Sequence, residues 1–304
     1  MTLKYIFMAI NLKDCLEHGI FTDEIKALEL AMKHDLLADG CYCSDECGIL
    51  QIKLDKRFKF GAVLYCPVCK NINSILHRSI FSRTHLPVNV VMELIYYWAK
   101  QSSVNEAKHE VKVNKNTVTN FFQALRDACS SWVEMHNSSK IGGPGTIVEI
   151  DETQMAKRKS NAGRILPEIL VVGGICRETD ECFAYVVEDR TATTLEELIM
   201  ENVRKGTTIH TDSWKGYYHV GEKGFTHKTV NHSKNFVNPE DGTHTQKIER
   251  FWRGLKDTRK RYQGLPAAEI QSHIDEYLWR KMRKVKIENC FEETIHMLAE
   301  VDFY

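Results

Sequence analysis

With 304 residues and 43% apolar side chains, the chain is long enough for about two domains and too apolar to be disordered. Its 41 basic and 41 acidic residues cancel, which excludes a uniformly charged surface and leaves contact with phosphates to local patches. Ten cysteines, with no stretch apolar enough to span a membrane, point to metal or free thiols rather than disulfides. The apolar opening Met1–Ile10 is cut short by Asn11-Leu12-Lys13-Asp14, with no cleavage site after it, so it does not read as a signal peptide.

The first expected element is a helical segment within residues 1–40. Ile25, Leu28, Ala31 and Met32 recur at helical spacing over 12–39, with Thr22 as the cap. Residues 41–85 hold five of the ten cysteines. Cys43-x3-Cys47 and Cys66-x2-Cys69 are separated by eighteen residues, the pattern of a four-cysteine structural Zn²⁺ site. Cys41 competes with Cys43 for the first knuckle. Leu50–Lys59 alternates apolar and charged residues, as a ribbon hairpin does.

Residues 86–140 read as helices. Ser103 to Ala107 starts one, Val111 to Asn114 turns, and Asn116 to Phe122 begins the next. Small Ala107 and apolar Val118 suit helix-turn-helix packing, and a plain helical hairpin fits as well. The first of these would expose Lys115, Asn116, Thr119, Asn120 and Gln123 to base edges and phosphates of double-stranded DNA.

Ser138 to Gly145 is the best linker in the chain. After it the period changes. Thr146–Asp151, Ile165–Cys176, Cys182–Glu188 and Thr207–Thr211 are strand-like, with a helix over 193–204, and the chain reads helical beyond Thr243. This is an α/β order over residues 145–285, followed by a helical tail at 286–304.

Two strands end on acids, Asp151 and Asp212. Side by side they would bring two carboxylates close enough to need a cation, of the Mg²⁺ (or Mn²⁺) type; ordinary turn acids are the other reading. On the helix from Thr243, Ile248, Phe251, Trp252 and Leu255 form an apolar stripe. Glu249, Arg253 and Lys256 lie along its border, where Glu249 could lean over a sheet edge or pair with Arg253. His210, His232 and His244 also fall near, and each reads first as a packed or hydrogen-bonded residue. Between Lys247 and Lys286 twelve basic residues face five acidic ones, a surface for phosphates or simply a solvated one.

Ile150-Asp151-Glu152-Thr153, Asp212-Ser213-Trp214-Lys215-Gly216-Tyr217, Val230-Asn231-His232-Ser233, Asn235-Phe236-Val237 and His244 to Trp252 occur in that order. Over roughly 145–285 this series resembles the Merlin-type DDE transposases and their bacterial insertion-sequence relatives. The resemblance implies an RNase H-like catalytic domain, preceded by a zinc ribbon and a helical DNA-binding region. It aligns Asp151, Asp212 and Glu249 with the catalytic acids and Lys256 with a basic residue two turns on. Some bacterial relatives carry a different third residue near Gln246. It further implies two-metal catalysis on terminal inverted repeats and target DNA, with Arg253 and Lys256 on the DNA and a homo-oligomer in the complex. The expected place is the nucleus of a eukaryote or the cytoplasm of a bacterium. A domesticated DNA-binding protein and a nuclease without strand transfer are the rival functions.

Overall fold

The computed structural model describes residues 12–37, 43, 47–136, 140–155, 169–231, 236–260, 267–301 and 303. Cys41, His232 and the opening Met1–Ile10 lie outside them. The chain divides into two compact units, residues 1–132 with 285–304, and residues 133–284. Among the described residues no helix is long and apolar enough to cross a membrane.

The first unit begins with α1 (Leu12–Glu17) and α2 (Glu24–Lys33). The helical run expected over 12–39 is thus divided into two helices. The chain breaks at Gly19, whose φ of 70° favours glycine. The cap of α2 is Asp23, not Thr22: its carboxylate accepts from the N–H groups of Ile25 and Lys26 at 2.9 and 3.3 Å, while the Thr22 hydroxyl donates backwards to the Gly19 carbonyl. A carboxylate serves two orphan amides and complements the helix dipole, so it wins the position.

Strands β1 (Gln51–Leu54), β2 (Ala62–Tyr65) and β3 (Ile72–Ser74) form an antiparallel sheet in that order. Helix α3 (Val88–Ala99) is buried over most of its circumference through Val91, Met92, Leu94, Ile95 and Trp98, as a helix apolar on nearly all sides must be. Helix α4 (Val104–Val111) is capped by Ser103, whose Oγ accepts from Glu106 N at 3.1 Å, and ends at Lys112 in the left-handed region. Helix α5 (Lys115–His136) starts three residues later, with Asn114 Oδ1 accepting from Asn116 N at 2.8 Å.

The second unit holds β4 (Ile147–Gln154), β5 (Leu170–Cys176), β6 (Cys182–Val187), α6 (Ala192–Asn202), β7 (Thr208–Asp212), β8 (Thr226–Val230), α7 (Gln246–Lys260) and α8 (Ile270–Met282). The sheet order is β6-β5-β4-β7-β8. β5 is antiparallel to both β4 and β6, whereas β4, β7 and β8 run parallel. Counted within the unit this is 3-2-1-4-5 with the second strand reversed, the RNase H-like sheet. Strand β8 was not among the expected strands.

Alternation along β4 divides its side chains between two faces. Val148 and Ile150 join Phe183, Ile209, Tyr217 and the α6 residues Leu195 and Ile199 in one buried cluster. Glu149 and Asp151 point the other way, towards α7, where Ile248, Phe251, Trp252 and Leu255 are buried. The apolar stripe read from the sequence is therefore the packed face of α7.

Helix α9 (Cys290–Glu300) returns to the first unit and packs on α3. The Phe291 ring meets Tyr96 at 5.8 Å and Phe21 at 6.3 Å, and the Trp132 indole donates to Glu300 at 2.5 Å.

Candidate active site

Asp151 lies on the face of β4 that carries Glu149, and Asp212 closes β7. The paired register runs from Ile147↔Thr208 to Glu149↔His210. Two residues further, Asp151 and Asp212 stand on the same face where the two strands part. Asp151 and Glu249 line one cleft of about 450 Å³ together with Thr153, Trp252, Arg253, Lys256 and Asp257. Asp212 borders this group from the next strand rather than lining the cleft. The three acids do not gather their oxygens into a tight cluster among the described residues, where the four cysteines below are the group found.

The electrostatics favour a cation here. Burial pushes the Asp151 carboxyl up to about 7, and the negative charges of Glu152 and Asp212 add to the rise. The Glu152 backbone N–H and the Trp252 indole N–H act against it. Glu152, on the opposite face of β4, is also raised, chiefly by burial, with Tyr217 and Arg190 opposing and Asp212 reinforcing. Glu152 Oε1 and Tyr217 Oη are buried without well-formed hydrogen bonds. The carboxylate oxygens of Asp151, Asp212 and Glu249 are the hard donors that Mg²⁺ or Mn²⁺ takes, so these residues fit the expected metal.

Three contacts that support this site are not visible in the sequence pattern. The Trp252 indole N–H donates to Asp151 Oδ2 at 3.1 Å. Gly173 makes room for that ring: a Cβ there would fall 2.6 Å from the indole. The Trp214 backbone N–H donates to Asp212 Oδ1 at 2.9 Å, and the Arg190 guanidinium lies 4.0 Å over the Trp214 ring.

His210 and His244 are explained by Arg177, whose Nη2 donates to their Nδ1 atoms at 3.2 and 2.9 Å. Burial and the Arg177 charge hold both imidazoles below their ordinary values. Both Nδ1 atoms are thereby engaged, and His210 Nδ1 also lies 3.3 Å from the His244 carbonyl.

In the first unit, the sulfurs of Cys43, Cys47, Cys66 and Cys69 lie within 4.8 Å of one another. Cys43 and Cys69 are 3.5 Å apart. Sulfurs about 2.3 Å from a tetrahedral centre are separated by about 3.8 Å, so the cluster suits a zinc ribbon. Burial raises the Cys66 thiol, but the N–H groups of Cys69 and Val68 outweigh it and bring it down to about 7.

Lys115, Asn116, Thr119 and Asn120 are exposed near the start of α5. Gln123 is half-buried and already engaged, accepting from Arg126 at 2.6 Å and donating to Asp127 at 2.8 Å.

Residues 141–281 match the ISXO2-like transposase domain. A stretch of 98 residues, 32% of this chain, is 26% identical to 78% of an uncharacterized transposase-like protein of Haemophilus influenzae. Among solved structures, the catalytic core domain of BIV integrase is 19% identical, with a TM-score of 0.29 over 42% of this chain and 80% of that one. The HTLV-2 integrase catalytic core domain in complex with magnesium is 16% identical, with a TM-score of 0.30 over 45% and 84%. The strand order gives the fold, and the sequence match makes residues 141–281 similar to the ISXO2-like transposases and so to the DDE transposases of bacterial insertion sequences.

Proposed function

We propose that this chain cuts DNA at the ends of a mobile element and joins the released 3′-hydroxyls to target DNA. The observation that carries the reading is the cleft in which the charge-starved Asp151 faces Glu249 beside Arg253 and Lys256, with Asp212 on the adjoining strand. Asp151, Asp212 and Glu249 would hold Mg²⁺ or Mn²⁺. Those ions, when bound, acidify an attacking water or 3′-hydroxyl and offset charge on the leaving oxygen. Trp252 fixes one oxygen of Asp151 and leaves the other to turn towards the cleft. Arg253 and Lys256 contact the DNA backbone there. Recognition of the terminal repeats falls to the first unit, through Lys115, Asn116, Thr119 and Asn120 at the start of α5 in a helix-turn-helix arrangement. Gln123 supports this surface through Arg126 and Asp127. Cys43, Cys47, Cys66 and Cys69 hold one structural Zn²⁺. Two copies act on the two element ends.

The test is an assay with duplexes carrying the flanking repeats of the element, in Mg²⁺ and in EDTA. The expected products are metal-dependent nicks with 3′-hydroxyl ends that become joined to a second duplex. Nicks without joining would reduce the protein to a nuclease, and selective binding without nicks would reduce it to a DNA-binding protein.

Trp252→Phe keeps an aromatic ring at this point of α7 and removes the donor to Asp151. A hydrogen bond to a charged group contributes about 1.5–3 kcal/mol, so the Mg²⁺ concentration for half-maximal cleavage should rise by about tenfold or more. An unchanged Mg²⁺ titration would mean that the indole only packs.

A further inference from the structure

Glu149 has no exposed surface at all, yet it is a carboxylate on the strand that carries Asp151. Its Oε1 accepts from Arg177 Nε at 2.6 Å. Its Oε2 accepts from the backbone N–H groups of Lys247 at 2.7 Å and Ile248 at 2.9 Å. These are amides of the first turn of α7, two of the orphan donors that a helix's own capping residue ordinarily serves. Here the acceptor comes from a different element, about a hundred residues away in sequence. Arg177 is held in turn by His210, by His244 Nδ1 and by the His244 carbonyl at 2.7 Å. Lys247 is tied down by Asp180 at 2.8 Å.

Burying a carboxylate is costly, and local capping could satisfy the same amides without it. What the buried acid adds is a fixed register between β4 and α7. Asp151 lies two residues beyond Glu149 on the same face of β4. Glu249 follows Ile248 directly on α7. One side chain therefore joins the two backbones that supply opposite walls of the cleft.

We infer that Glu149 is a positioning residue for metal binding, clamping the start of α7 to β4 so that Glu249 is held against Asp151. The inference rests on the proposed metal-dependent function. Outer-shell partners of metal ligands typically govern affinity by about 10- to 100-fold.

The test uses the full chain with Mn²⁺ as probe, its binding followed by electron paramagnetic resonance of the free ion, alongside Mg²⁺ titration of cleavage. Glu149→Gln keeps the shape but turns an amide towards a donor. It should retain far-UV ellipticity, zinc content and DNA binding, while the Mn²⁺ dissociation constant and the Mg²⁺ midpoint both rise by about tenfold or more. Glu149→Asp keeps the charge for Arg177 but falls a methylene short of the α7 amides. It should show the same rise, and it decides the matter if the Gln variant fails to fold. Folded variants with wild-type Mn²⁺ affinity would overturn the inference, as would failure of both to fold, which would make Glu149 a folding residue only. If the wild type binds no Mn²⁺ that Asp151→Asn abolishes, the functional reading fails instead.

Discussion

Asp151→Asn is expected to abolish strand cleavage while leaving binding to terminal-repeat DNA nearly unchanged. Asparagine matches the carboxylate in size and can still accept from Trp252, so the fold around β4 has little reason to move. What it loses is the anionic oxygen that would face a cation. Metal stabilisation of a transition state is worth several kcal/mol, so cleavage should fall by about a thousandfold or more.

The same variant has an opposite effect on stability. In the metal-free fold the Asp151 carboxyl rises from 3.8 to about 7. The folded chain thus keeps a proton that the unfolded chain releases. The stabilising contribution is complete below about pH 4 and is lost as pH climbs through about 7. At pH 8 the metal-free wild type holds an uncompensated buried charge that costs up to about 4 kcal/mol. Asp151→Asn removes it. In buffer free of Mg²⁺ at pH 8 the variant should melt above the wild type, and the gap should close as pH falls to 4. Added Mg²⁺ should raise the melting point of the wild type alone. A variant that melts below the wild type throughout, with Mg²⁺ indifferent, would remove Asp151 from the metal site.

The second large effect belongs to Cys66. The ribbon sheet has a small core of its own: Leu50, Leu64 and Cys66 are its buried cluster, with Cys43 and Cys47 packed beside it. Strand β1 is exposed along its whole length. A patch this small cannot offset the entropy of ordering three strands. Zinc on four thiolates contributes about 10–16 kcal/mol of apparent binding energy in small metal-folded peptides. Cys66→Ser should therefore bring bound zinc from one per chain to none and erase amide protection across β1–β3, and a strong chelator should do the same to the wild type. Amide exchange resolved by residue would check it. Protected strands in zinc-free protein would show that the cysteines are ordinary thiols.

How much of this was legible beforehand depends on the range of the contacts. The period of Ile248, Phe251, Trp252 and Leu255 is local, and it gave the packed face of α7 directly. The β4 run was visible for the same reason, though it continues past Asp151 to Gln154 because β5 pairs with it that far. Strand β8, Thr-His-Lys-Thr-Val, carries no strand signal of its own. It is an edge strand with a mostly half-exposed, polar pattern, and nothing in those five residues separates it from a loop. At the site, Asp151, Asp212 and Glu249 stood out as acids at element ends. Their supports did not. Glu149 reads as a polar interruption in an apolar strand, and Gly173 as one of two glycines in another. Their meaning comes from α7, which arrives about eighty to a hundred residues later. Gln123 looked like a free recognition side chain because its partners Arg126 and Asp127 become visible only once the helix is built.

The return of α9 to the first unit has a consequence for biosynthesis. The pairing of Phe291 with Tyr96 and Phe21, and of Glu300 with Trp132, means that the leading unit leaves the ribosome with part of its core uncovered. The whole second unit must be translated before α9 emerges. At about 5–20 residues per second that interval lasts about 10–30 s. During it the second unit, whose sheet closes entirely within residues 147–230, is free to fold first, so the order of completion runs against the order of synthesis. Premature stops near the 3′ end of the message would then damage the front of the protein rather than its back.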